Sequence, residues 1–86
     1  MLEFTKHAEI RMNQRGISKE MIELTLEYGQ CIKDKVILNS NDIKKLLLKV
    51  SKLIKSKLLK IMDKGGLVVV LSDDYAVITV YNKYNS

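Results

Sequence analysis

Ile43, Leu47, Val50, Ile54, Leu58 and Ile61 recur every three or four residues along a stretch with neither glycine nor proline. That spacing predicts a long amphipathic helix, capped by Asn39 or Ser40, running to about Asp63 and closed by Gly65 and Gly66. Lys45, Lys49, Lys52, Lys60 and Lys64 occupy much of its other side. A stripe this long has to be covered. In a chain of 86 residues it is needed to complete one small core, which buries roughly 60–65% of the unfolded surface. A basic amphipathic helix also suits a membrane surface, but that would leave the core incomplete.

The cover is predicted on both sides of this segment. Residues 67–71 form an apolar run, Ser72, Asp73 and Asp74 form a turn, and residues 75–81 run back as the clearest hairpin in the chain. On its second strand strict alternation sets Tyr75, Val77, Thr79 and Tyr81 against Ala76, Ile78 and Val80. The Ala76, Ile78 and Val80 set is expected on the helices, with Thr79 and Tyr81 on the more accessible face. Residues 30–38 alternate loosely and read as one strand.

Upstream, residues 2–4 suit a short strand, and Thr5 is placed to cap a helix from Lys6 to Arg15 that Gly16 ends. Ser18 caps a second helix, stopped at Gly29. The expected fold is α+β: an N-terminal helix pair and a longer third helix packed on a small antiparallel sheet that ends in the C-terminal hairpin, all in one domain.

Fifteen basic against ten acidic residues give a formal charge of +5, which favours polyanionic or acidic partners. Cys31 is alone, so no internal disulfide forms; it is expected as a small buried apolar residue. One histidine and one cysteine do not build a four-ligand structural zinc site. The first residues are too polar for a secretory signal, and no apolar run approaches a membrane span. A cytoplasmic protein is expected, with no cofactor and no membrane partner.

The chemistry-bearing residues are concentrated. His7, Arg11 and Arg15 are the only histidine and the only two arginines, spaced four apart. On a helix each step turns the side chain by roughly 40°, so all three share a stripe about 80° wide. Histidine titrates near neutrality, and arginine offers a planar, permanently charged fork suited to phosphate. A stripe with both is what phosphodiester chemistry requires.

The segment from Phe4 to Gly29 resembles a family of small prokaryotic proteins catalogued as domain of unknown function 4258. The resemblance is carried by His7, Ala8, Arg11, Met12, Arg15, Gly16, Ile17 and Ile22, and by Ile78, Thr79, Val80 and Tyr81 in the final strand. That family has been grouped with the barnase, EndoU, colicin and RelE-like fold, mostly metal-independent ribonucleases and toxins. The resemblance implies a RelE/barnase-like domain whose catalytic groups come from the helix and the last strand. The lysine-rich middle, residues 41–64, is longer than this pattern leads one to expect.

RNA cleavage without metal needs a base for the 2′-OH, cations for the phosphorane and an acid for the leaving oxygen. His7, near the positive end of a helix dipole that favours neutral imidazole, is the expected base. Arg11 is the expected phosphate grip, with Thr79 orienting the phosphate and Tyr81 donating a hydrogen bond or stacking on a base. Arg15, about 12 Å along the axis from His7, would bind a neighbouring phosphate, and Lys45, Lys49 and Lys52 would track the RNA backbone.

Each residue has a plainer reading. His7 suits a solvent-facing or capping position, and Arg11 an ion pair with Glu9 or Glu27. Arg15 suits the last helical turn without any ligand, Thr79 and Tyr81 are ordinary strand formers, and the lysines suit a solvated face. The expected function is a small endoribonuclease, the toxin of a toxin–antitoxin pair, with RNA and an acidic antitoxin as partners. The alternative is a non-catalytic RNA- or protein-binding module of the same fold. Helix-turn-helix DNA binding fits the helix–RGIS–helix order only superficially, since Glu20, Glu23 and Glu27 on the second helix would repel phosphates.

Overall fold

A computed structural model describes residues 2–82 of the chain. Helix α1 (Lys6–Arg15) begins where the Thr5 hydroxyl accepts from the Ala8 amide at 3.1 Å. It ends at Gly16, whose φ of 63° is open to glycine at little steric cost and turns the chain sharply. Helix α2 (Lys19–Tyr28) starts on Ser18, whose side chain accepts from Met21 while the Met21 thioether accepts from the Ser18 amide. Methionine sulfur here fills the role that glutamate or glutamine takes in a capping box.

Four strands follow, β1 (Gln30–Ile32), β2 (Lys35–Asn39), β3 (Gly66–Leu71) and β4 (Val77–Asn82), joined in that order as one antiparallel sheet. The α+β architecture and the C-terminal hairpin are as expected. Two helices lie between β2 and β3: α3 (Ser40–Leu46) and α4 (Lys52–Asp63).

Three local expectations are corrected. Residues 30–38 are not one strand but a tight hairpin, reversed at Lys33 and Asp34, with Lys33 at a φ of 57°. The long helix is two helices. Ser51 restarts it, its hydroxyl accepting from the Ile54 amide at 3.4 Å, and an N-cap supplied at this point competes with continuation. The apolar spacing survives because Ile43 on α3 and Leu58 and Ile61 on α4 enter the same core. Residues 2–4 make only one bridge, Phe4 to Val77, parallel to the outer edge of β4.

The core is one cluster. Ala8, Met12, Ile22, Ile43, Leu58 and Ile61 from all four helices meet Leu38, Leu67, Val69, Val77 and Val80 from the sheet. Each fully buried Leu, Ile or Val contributes about 1.5–3 kcal/mol through removal of apolar surface from water. The sheet register assigns its two faces. Val69 lies opposite Val80, and Leu67 opposite Asn82, on the helix-covered side. Val68 opposite Tyr81 and Val70 opposite Thr79 lie on the other side.

A bulge overturns the simple alternation along β4. Val70 pairs with Thr79 but Leu71 pairs with Val77, so Ile78 is an extra residue. Val77 and Val80 are therefore both in the core, whereas Ile78 is 37% exposed. The expected grouping of Ile78 with Val80 and of Val77 with Thr79 is wrong for that reason. The accessible face predicted for Thr79 and Tyr81 is the face they occupy.

Candidate functional site on helix α1 and the edge of β4

Helix α1 buries Ala8 and Met12 against the sheet. Taking the midpoint of those two as the buried direction, Arg15 points roughly 40° from it, Arg11 roughly 80° and His7 roughly 120°. Exposure follows the angles. His7 is exposed, Arg11 is half-buried, and Arg15 is half-buried with its Nε fully out of solvent. The stripe therefore spirals from water at the start of the helix toward the core at its end.

Two hydrogen bonds donated by Thr5, one from its amide and one from its hydroxyl, fix the start of the helix on β4. The Thr5 amide donates to the Val77 carbonyl at 3.0 Å, and the Thr5 hydroxyl donates to the Ile78 carbonyl at 3.0 Å. His7 lies two residues beyond Thr5, and Thr79 one beyond Ile78, so the bulge brings their backbones to the same corner. Their side chains do not share a face. Thr79 and Tyr81 lie on the face of the sheet opposite to Val80, which packs in the core with Ala8 and Met12.

Among the described residues, no carboxylate pairs with Arg11, so neither Glu9 nor Glu27 takes the role open to it in the sequence. His7, Thr79 and Tyr81 likewise make no side-chain hydrogen bond there. Lys57 of α4 forms an ion pair with Glu20 of α2, which holds the Glu20 carboxyl below its ordinary range. Tyr28 is shifted the other way, its phenol pushed up chiefly by a hydrogen bond to Glu27. Both lie outside the stripe.

The Arg15 main chain has a partner that the sequence does not reveal. Lys64, just past the end of α4, donates its Nζ to the Arg15 carbonyl at 2.8 Å. The Arg15 Nε has no hydrogen-bond partner, and neither has the buried Oδ1 of Asn82. Helix α1 starts at the beginning of β4, and its last residue is tied to Lys64, close to Leu67, the partner of Asn82 across the sheet. An orphan donor and an orphan acceptor thus lie toward one end of the α1–β4 seam. Asn82 carries no sequence signal beyond its place at the end of the last strand.

The lysines are elsewhere. Helix α3 packs on β2 and α4, whereas α1 packs on β4, so Lys45, Lys49 and Lys52 are not brought beside His7 and Arg11. Cys31 is exposed on β1, not buried, because the hairpin places β1 at the rim of the sheet. Among the described residues no three His, Cys, Asp or Glu side chains are grouped to hold a metal ion, and no helix is long and apolar enough to cross a membrane.

Comparison with known proteins agrees with the motif on α1 and the strand that receives it. No curated protein and no solved structure is significantly similar to the chain. The family model described as Domain of unknown function (DUF4258) matches residues 4–82, from the Phe4 bridge to the end of β4. The chain belongs to that family.

Proposed function

We propose that this protein is a small metal-independent endoribonuclease, the toxin of a toxin–antitoxin pair, that cleaves single-stranded RNA by attack of a 2′-OH on the adjacent phosphorus. The observation that carries the reading is Arg11: a half-buried arginine with no carboxylate partner among the described residues, one helical turn from the exposed His7. A cation in that state is available for a phosphate, and a bidentate grip on one contributes about 1.5–3 kcal/mol.

In this scheme His7 takes the 2′-OH proton, the 2′ oxygen bonds to phosphorus, and the bond from phosphorus to the 5′ oxygen breaks, that oxygen taking a proton from water. The products are a 2′,3′-cyclic phosphate and a 5′-hydroxyl. Arg11 offsets the charge that builds on the phosphorane, and Arg15 holds a neighbouring phosphate. Thr79 and Tyr81 serve a strand that passes over the outer edge of β4, Thr79 toward the phosphate and Tyr81 as donor or stacking platform. The cellular setting of this reading is the cytoplasm, and its protein partner is an acidic antitoxin.

A second reading, a binding module of the same fold without turnover, is favoured by one observation. Thr79 and Tyr81 lie across the sheet from α1, and among the described residues no hydrogen bond orients the His7 ring. The experiment that separates the two is end-group analysis of RNA incubated with purified protein in EDTA. Cyclic phosphate ends that disappear with His7→Ala support the nuclease, and saturable RNA binding with intact RNA supports the module.

A further inference from the structure

We infer that two copies of this chain associate, the turn that ends α3 in each entering the groove between α2 and α4 of the other. The groove has Leu24 and Ile54 as its apolar lining, with Glu20, Glu23, Glu27 and Lys57 around them. Three carboxylates there face one ammonium. Lys57 is paired with Glu20, and Glu27 is bonded to the uncharged phenol of Tyr28. Glu23 has no ion-pair partner among the described residues. Leu53, 67% exposed, stands one helical turn before Lys57 at the rim.

The turn after α3 has the opposite character. The Leu47 amide donates to the Ile43 carbonyl and the Lys49 amide to the Leu46 carbonyl, so helical winding continues as far as Lys49. Ile43 is fully buried, and steps of about 100° from it put Leu48 on the outside, between Lys44 and Lys45. Leu48 is 89% exposed. Lys49 lies beyond Lys45, and the two share a cavity wall with Asp42. Three ammoniums and one carboxylate therefore surround an apolar knob.

Isolated exposed leucines are ordinary on a protein surface and say nothing alone. Here one chain carries both an apolar knob among cations and an apolar-lined groove with excess carboxylates. Each complements the other in sign, and a second copy supplies both. The two surfaces also adjoin. Tyr28, bonded to Glu27 of the groove, lines the cavity that Lys45 and Lys49 line. Adjacent complementary patches are both satisfied when two copies meet about a two-fold axis, which closes the assembly at a dimer. Each patch is small, so the interface belongs to the weak class that buries less than about 1,200 Å². The inference does not use His7 or Arg11, so it stands or falls separately from the nuclease reading.

The test is sedimentation of the whole protein over a concentration series, at low salt and at about 1 M, where the Debye length shrinks to about 3 Å. At low salt the mass should rise with concentration to twice that of the monomer and no further. The dissociation constant should increase at least roughly tenfold in high salt, with Leu48→Asp, with Lys44→Glu plus Lys45→Glu, and with Glu23→Lys plus Glu27→Lys. All are surface changes, and unchanged melting confirms that each variant is folded. Mixing the two charge-reversed variants exchanges the signs on both sides and should restore the dimer. A wild-type monomer at every concentration up to about a millimolar overturns the inference. So does a dimer indifferent to these changes, growth beyond the dimer, or a mixture that stays monomeric. A monomer that binds RNA or polyglutamate through Lys44 and Lys45 also overturns it, and assigns the turn to a foreign polyanion.

Discussion

The ammonium of Lys64 and the main-chain carbonyl of Arg15, 2.8 Å apart, tie the end of the lysine-rich helix to the end of the helix that carries the histidine–arginine stripe. The bond satisfies a terminal helix carbonyl with a cation, the favourable sign at a helix C-terminus. Lys64→Met keeps most of the apolar stem and removes the donor. It should cost about 1.5 kcal/mol, the lower end for a charged hydrogen bond. Urea unfolding of the two proteins, with equal slopes and shifted midpoints, checks this.

Gly66 opens β3 with a φ of 100°, and a Cβ placed there would lie 2.4 Å from the Leu38 carbonyl oxygen. The clash is with backbone held in the β2–β3 pairing, so it is not relieved by a side-chain rotation. Gly66→Ala should destabilise by at least about 2 kcal/mol through strain and displaced pairing. In a domain of this size that lowers Tm by roughly 8–16 °C, read by thermal melting.

The bulge in β4 makes a paired prediction. Val77→Thr places a hydroxyl in a fully buried site and should cost about 1–3 kcal/mol, the penalty of an unsatisfied polar group. Ile78→Thr, one residue on, alters a partly exposed residue and should cost less than about 1 kcal/mol. Equal costs would mean that the two residues do not differ in burial as the register requires.

The same bulge shows where the sequence stops being legible. Period-two alternation predicts the existence of the final strand and the free face of Thr79 and Tyr81, but an inserted residue leaves no compositional mark, so Val77 and Ile78 exchange sides unannounced. The turn at Lys33 and Asp34 is similar, because neither residue is the glycine or asparagine that usually marks a reversal with positive φ. In the long helical segment, Ser51 was the only local sign of a break inside an uninterrupted apolar period. The caps of α1 and α2 and the start of α3, by contrast, are legible: Thr5, Gly16, Ser18, Gly29 and Asn39 act where their chemistry suggests. For the candidate site, four-residue spacing correctly puts His7, Arg11 and Arg15 on one stripe. It does not reveal which way the stripe faces, since that depends on how Ala8 and Met12 seat the helix.

Acid should weaken the link between α2 and α4. The Glu20 carboxyl is lowered in the folded protein, chiefly by its hydrogen bond to Lys57. A lowered carboxyl contributes stability that is present above its unfolded value, near 4.5, and is lost as pH falls through the folded value. Glu20→Gln should flatten the fall in stability below that pH, and added salt should shrink the difference because the pair is exposed. Urea midpoints measured across the acid range, at low and high salt, check both effects.

The nuclease account is tested most directly by incubating long single-stranded RNA in EDTA with wild type, His7→Ala and Arg11→Ala, each shown by melting to be folded. The account predicts cleavage by wild type, with cyclic phosphate ends, and a loss of at least about a hundredfold in rate for each variant, the scale of one general base or one charge-stabilising donor. Cleavage by both variants at rates close to wild type would contradict it.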